Sequence, residues 1–371
     1  MTAHFSTPNS RFDATTDRRT FLTSAAALAM GAALAPEAKA LPQARKQGRI
    51  DLHHHYQSPG VTQYLAKHNL TIDQFVKEPL TRGPWSLAGA IEGLDKAGID
   101  LAYTSAATYF TRTARLHKAG ASVYSAETFV PLARETNEYG AKVVAESKGR
   151  FRLFAALPQP HVDGCLKEIE YALGTLKAAG FCMATSVGTT YLGNPKLDPV
   201  LEELNRRKAV VYTHPNEPDW SLDLVPGVSA AQVWYGNDTT VAIVSMLRNN
   251  VPKKYPDIRW IFSHGGGTVP YLIERLVGEP VAPKIDGTPK VGEPLYNLRN
   301  FYYDTAQVAN GASMPALKKA IGVSQILFGT DYPWSTMLDH VEGMIDSRSF
   351  TADELNAIFR ENALRLLPLN E

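Results

Sequence analysis

Short apolar runs alternate with helical patterns along most of the chain. Residues 50–55, Ile-Asp-Leu-His-His-His, predict a first strand, and a loop holding Pro59, Pro79 and Pro84 follows. Ser86 then caps a helix in which Leu87, Ile91 and Leu94 recur at helical spacing, and Gly98 ends it. The second and third strands fall at 99–105 and 151–157, separated by a long helix over 127–146. Asp163 reads as the cap of a helix carrying Leu166, Ile169, Leu173 and Leu176 on one face, ending at Gly180. The fourth strand spans 181–187 with a helix near 199–207, and the fifth spans 210–213 with a helix near 239–249 after a long loop. Residues 258–263 and 301–305 give strands six and seven, with helices over 269–277 and 315–321. Residues 326–329 give the eighth strand, and Thr351 with Glu354 forms a capping box for the last helix.

Eight strand–helix units predict an α/β fold, a single (β/α)8 TIM-type barrel with loop insertions. A doubly wound open sheet is the alternative. No G-x-G-x-x-G follows the first strand, which weakens a dinucleotide-binding version.

The first forty residues break the pattern and read as an address. Asp17-Arg18-Arg19-Thr20-Phe21-Leu22 resembles a twin-arginine export signal, an Ala/Leu/Gly run follows to Leu34, and Ala38-Lys39-Ala40 supplies a cleavage site. A disordered tail with an accidental arginine pair would lack that order of signals. The expectation is a signal over 1–40, a functional domain over 41–371, and a periplasmic product. The signal holds four basic residues (Arg11, Arg18, Arg19, Lys39) and three acidic ones (Asp13, Asp17, Glu37). The mature chain therefore carries no net formal charge.

Composition narrows the classes. The whole chain has 371 residues, 38 Lys+Arg and 37 Asp+Glu, which argues against a nucleic-acid partner. The mature part has no apolar run long enough to span a membrane. Two cysteines, Cys165 and Cys182, rule out a disulfide scaffold or a cysteine-based zinc finger, and both lie at apolar positions suited to the core.

The histidines carry the chemistry. On a strand, His53 and His55 share one face while His54 takes the other, and two adjacent imidazoles make a ready chelate. A polar strand terminus would give a similar run. Yet His214 ends the fifth strand, His264 the sixth and Asp331 the eighth, each closing an apolar run with a metal-competent side chain. Barrel enzymes draw active-site residues from several strands at the C-terminal ends. Three imidazoles and a carboxylate suit zinc, with manganese, cobalt or iron as alternatives. His264-Gly265-Gly266-Gly267 resembles an esterase oxyanion motif, but no G-x-S-x-G elbow accompanies it. The glycines read instead as letting substrate approach the backbone.

Four blocks, 50–55, Thr213-His214-Pro215, 263–267 and Gly329-Thr330-Asp331-Tyr332-Pro333, resemble the amidohydrolase superfamily, specifically its single-metal decarboxylase branch. Residues 238–271 are similar to aminocarboxymuconate semialdehyde decarboxylases. Residues 85–99 and Tyr191-Leu192-Gly193-Asn194-Pro195 are similar to methylsalicylate-type decarboxylases. The resemblance implies that His53, His55, His214 and Asp331 hold one divalent metal, since the fourth strand has no Lys or Glu to bridge a second. It implies that His264 is the acid/base or orienting group, with Asp331 also able to move a proton. Arg82 would bind a substrate carboxylate, with Arg112 and Arg115 as rivals, and Trp85 and Trp334 would wall the substrate. It further implies metal-dependent, non-oxidative decarboxylation of a small aromatic or unsaturated carboxylic acid, and a homodimer. The branch's members are typically cytosolic, so the export signal is a departure. Metal-assisted hydrolysis of a lactone or amide is the alternative reaction.

Overall fold

The computed structural model describes residues 48–69, 85–106, 113–121, 124–278 and 288–369. The expected signal over 1–40, together with Arg82 and Arg112, lies outside the described residues.

Eight parallel strands follow one another around a barrel: β1 (Arg49–His55), β2 (Ile99–Ser105), β3 (Phe151–Ala156), β4 (Gly180–Ala184), β5 (Val210–His214), β6 (Arg259–Phe262), β7 (Tyr302–Asp304) and β8 (Ile326–Leu327). β8 closes on β1 through Leu52 N–H to Phe328 O at 2.9 Å and His55 N–H to Tyr332 O at 2.8 Å. Helices fill the connections, as parallel strands require. Barrel strands are apolar on both faces because one packs the interior and the other the helix layer. The interior floor is aromatic: Tyr212 stacks on Phe154 at 5.8 Å, and Phe154 on Tyr103 at 5.2 Å. Both cysteines are free and buried, as core residues.

The helix punctuation follows local chemistry. Ser86 Oγ accepts from Gly89 N–H, and Gly98 closes the Leu87–Ala97 helix in the left-handed conformation. Thr351 and Glu354 form the reciprocal capping box. Four expectations shift. Pro59, expected in a loop, instead opens a helix, Pro59–Lys67, where its missing N–H costs nothing and Ser58 Oγ accepts from Val61 N–H. The helix after β3 spans Val162–Gly174 with His161 at its cap, so Asp163 sits in the first turn, where a carboxylate favours the helix dipole. β4 stops at Ala184, because Ser186–Val187 turns away to pair with Thr190–Tyr191. The helix expected near 239–249 spans Ala230–Arg248. Its buried face includes Asp238, Thr239 and Thr240 as well as Ala242, Ile243 and Met246, so apolar periodicity hides its first turns.

Candidate metal centre

Strand alternation sends His53 and His55 into the barrel and His54 outward, where it stacks on Tyr332 and meets the edge of Phe151. His53 Nε2 and His55 Nε2 face each other at 3.0 Å. Asp331 Oδ1 lies 3.2 Å from the first and 3.1 Å from the second. His214, ending β5, brings its ring to 5.4 Å from that of His53 and 4.9 Å from that of His55. One ligand atom from each of His53, His55, His214 and Asp331 falls within 4.8 Å of the others, and all four residues are buried.

Each imidazole is held from behind. His53 Nδ1 donates to Asp304 Oδ2 at 2.7 Å, His55 Nδ1 to Ser105 Oγ at 3.1 Å, and His214 Nδ1 to Pro215 O at 2.8 Å. Such outer bonds fix the tautomer and aim Nε2 inward. Two imidazole nitrogens 3.0 Å apart in a dry interior need a proton or a cation between them. The set of three nitrogens and one carboxylate oxygen thus fits a divalent metal.

The charge balance agrees. Burial disfavours a charged His53, but Asp304 and Asp331 outweigh burial and raise its pKa to about 10. Burial depresses the pKa of His55, and it takes His214 well below its ordinary value, with the neighbouring histidines adding repulsion. Burial raises the Asp331 pKa, yet His53 and the hydrogen bonds from His264, His53 and His55 hold it well below the usual carboxylate range. Without metal, the centre is one buried imidazolium–carboxylate pair beside two neutral imidazoles.

The turns after β6, β7 and β8 complete the site. His264 has a left-handed backbone, φ 53°, and its N–H donates to Asp304 Oδ1 at 2.9 Å. Its Nε2 lies 3.4 Å from Asp331 Oδ2, and its buried Nδ1 has no hydrogen-bond partner among the described residues. His264 therefore adjoins the four-donor group without being one of it. The glycines after it serve packing. A side chain at Gly267 would strike Gly236 O at 2.0 Å, and one at Gly266 would strike the Tyr303 ring at 2.6 Å. Gly329, two residues past the end of β8, lies wedged against the site: a Cβ there would sit 2.7 Å from His53 Cβ and 3.1 Å from Asp304 Cβ.

Five residues expected at the site thus meet there: His53, His55, His214, His264 and Asp331. Trp334 follows closely, its N–H donating to Asp331 O at 2.8 Å. Trp85 packs against Tyr56, with ring centroids 6.5 Å apart, and Tyr56 itself reaches the helix layer through Thr136 O. Arg115 is committed to buried Glu217, at 2.6 and 2.5 Å, so a carboxylate already occupies it. Sequence reasoning missed Asp304, Asp51 and Gln307. Asp51 joins β1 to β8, accepting from His53 N–H at 3.0 Å and from Thr330 Oγ1–H at 2.6 Å. Asp304 ends an apolar strand as Asp331 does, and that signal could have found it.

Residues 50–369 match the amidohydrolase family. The chain belongs to that family. Among curated relatives, Decarboxylase yanB of Aspergillus niger is 32% identical over 86% of this chain and 87% of its own length. The 6-methylsalicylic acid decarboxylase of Penicillium expansum is 29% identical over 77% of this chain and 85% of its own. Among solved structures, the 5-carboxyvanillate decarboxylase of Novosphingobium aromaticivorans, complexed with manganese and 4-hydroxy-3-methoxy-5-nitrobenzoic acid, superposes with a TM-score of 0.72. It is 18% identical, and the match covers 88% of this chain and 97% of that one, a likeness of fold.

Proposed function

We propose that this amidohydrolase catalyses the metal-dependent, non-oxidative decarboxylation of a small aromatic carboxylic acid. The observation that carries the reading is the position of His264. It lies outside the four-donor group, yet faces the outer oxygen of Asp331 at 3.4 Å. Decarboxylase relatives that align over most of the chain support it. A divalent metal held by His53, His55, His214 and Asp331 would supply charge stabilisation and a chelate for the substrate carboxylate and a neighbouring oxygen.

The protein's own part is proton handling. His264 holds the transferable proton at Nε2, against Asp331 Oδ2. Delivery to the ring carbon bearing the carboxylate makes that carbon tetrahedral. The bond to the carboxylate then breaks, CO2 leaves, and the bonding pair restores the aromatic ring. Zinc is our choice for the donor set. The neighbour solved with manganese makes that ion the rival, and elemental analysis of purified protein decides between them.

The test is to supply the metal-loaded enzyme with a panel of hydroxybenzoates and a panel of lactones. We expect CO2 and the decarboxylated phenol from at least one hydroxybenzoate. Ring-opened acid from a lactone, with no CO2 from any aromatic acid, would replace decarboxylation by hydrolysis. We also propose export and removal of residues 1–40, supported by Arg18-Arg19 and Ala38-Lys39-Ala40. An uncut cytosolic product in a host with working twin-arginine transport would refute it. The homodimer is proposed on the resemblance, and sedimentation of the purified protein tests it.

A further inference from the structure

Three residues other than glycine adopt left-handed backbone at the ends of three successive strands: His264 at φ 53°, Gln307 at φ 59° and Asp331 at φ 58°. Asp and His visit this region several-fold more readily than most residues, but Gln has no such licence. All three converge on one atom. Asp331 Oδ2 faces His264 Nε2 at 3.4 Å and accepts from Gln307 Nε2–H at 3.1 Å. Asp331 Oδ1 is turned the other way, toward His53 and His55.

The strained turn at Gln307 is pinned from behind. Its backbone N–H donates to His340 Nε2 at 2.9 Å, and His340 Nδ1 faces Ser335 Oγ at 3.2 Å and Thr336 O at 3.1 Å. The side chain is solvent-exposed, so it packs no core. Backbone strain of about 1–3 kcal/mol persists where the surroundings over-determine it, and such residues cluster at functional sites. An exposed glutamine held in an unfavourable conformation, with its amide on a buried carboxylate, has no packing purpose.

We propose that Gln307 is a positioning residue for the metal centre. By occupying Asp331 Oδ2, its amide keeps the carboxylate rotated so that Oδ1 alone faces His53 and His55. It thereby preserves the gap in which His264 sits. The proposal rests on the reading of His53, His55, His214 and Asp331 as a metal site. It assigns no contact with substrate.

The test compares wild type with Gln307→Leu, which removes both amide groups, and Gln307→Glu, which puts a carboxylate against Oδ2. Three quantities are measured: the melting temperature of metal-free protein, zinc affinity by chelator competition, and the visible spectrum of the cobalt-substituted protein. We expect the metal-free melting temperature of Gln307→Leu to stay put. Zinc affinity should fall about tenfold in Gln307→Leu, the low end for a lost outer-shell partner. It should fall further in Gln307→Glu, and the cobalt spectrum should change in both as the carboxylate rotates. Wild-type affinity and spectrum in Gln307→Leu would overturn the assignment alone. So would a large fall in its metal-free melting temperature, which would make the residue structural. A wild type that bound neither zinc nor cobalt would overturn the metal-site reading as well, so the two failures are told apart.

Discussion

On β1, His53 and His55 reach the barrel interior by strand alternation, each ring anchored by one outer hydrogen bond. Opposite them, the groups supplied after β6, β7 and β8 sit on turns with left-handed backbone. The difference separates two tasks. A strand holds two nitrogens at a fixed spacing, which suits a chelate. A turn re-aims a side chain independently of its neighbours, which suits residues that must converge on one carboxylate from three directions. The strand half is secured by the fold itself, whereas the turn half is secured by bridges such as His264 N–H to Asp304 and Gln307 N–H to His340.

The sharpest way to break this division is to remove one member from each half. His53→Ala should lose metal and activity together, because it deletes half of a chelate. Metal content and kcat on one confirmed substrate check this, and retained metal would contradict the chelate. His264→Ala comes next. It should keep most of the metal and lose about two to four orders of magnitude in kcat, the usual worth of a positioned acid or base. If it lost metal as completely as His53→Ala, His264 would be a ligand. Near-normal kcat would move the proton to Asp331 or water.

The third effect concerns pH. His53 keeps its proton in metal-free folded protein up to about 10, against an unperturbed value of 6.5. That proton stabilises the metal-free fold fully below about 6.5, and the contribution is lost as pH rises through about 10. His55 and His214 are shifted the other way, so below their unperturbed value the unfolded chain gains protons that the folded chain does not. Metal-free stability should therefore peak near 6.5 and fall on both sides. Because metal must displace the His53 proton, affinity should rise about tenfold per pH unit through neutrality. Calorimetry in buffers of different ionisation enthalpy should find one proton released per metal, and none released would refute the pairing.

Much of the strand half was legible in the sequence. A run of three histidines closing an apolar segment announces its alternation, and His214 and Asp331 close their strands in the same way. The turn half was legible only in part. His264 and Asp331 could be named, but the conformation that lets them meet has no local signature. Asp304 reaches His53 across 251 residues of chain, and Gln307 is a lone polar residue with no periodic context. The glycines after His264 were visible, but their use was not, because only the fold shows Gly236 and Tyr303 lying against them. Likewise the Arg115 charge was visible and its partner Glu217 was not.

The smallest predicted effect marks the lower boundary of the site. The Tyr212 ring lies edge-on below His53, 5.3 Å away, yet its buried hydroxyl has no hydrogen-bond partner among the described residues. Tyr212→Phe removes a polar atom that gains nothing from burial, so the melting temperature should hold or rise slightly, with activity unchanged. A marked loss of metal or activity would bring that hydroxyl into the site.

The glycine at 329 sets a direction on how this catalyst can diverge. Any side chain there would wedge apart His53 and Asp304, whose bond orients the first ligand. Position 329 therefore offers no room for a side chain beneath the ligands. Room for altered substrate fit lies instead at the rim, in the loops that follow the strands. A library for altered specificity should spend its diversity there and leave position 329 alone.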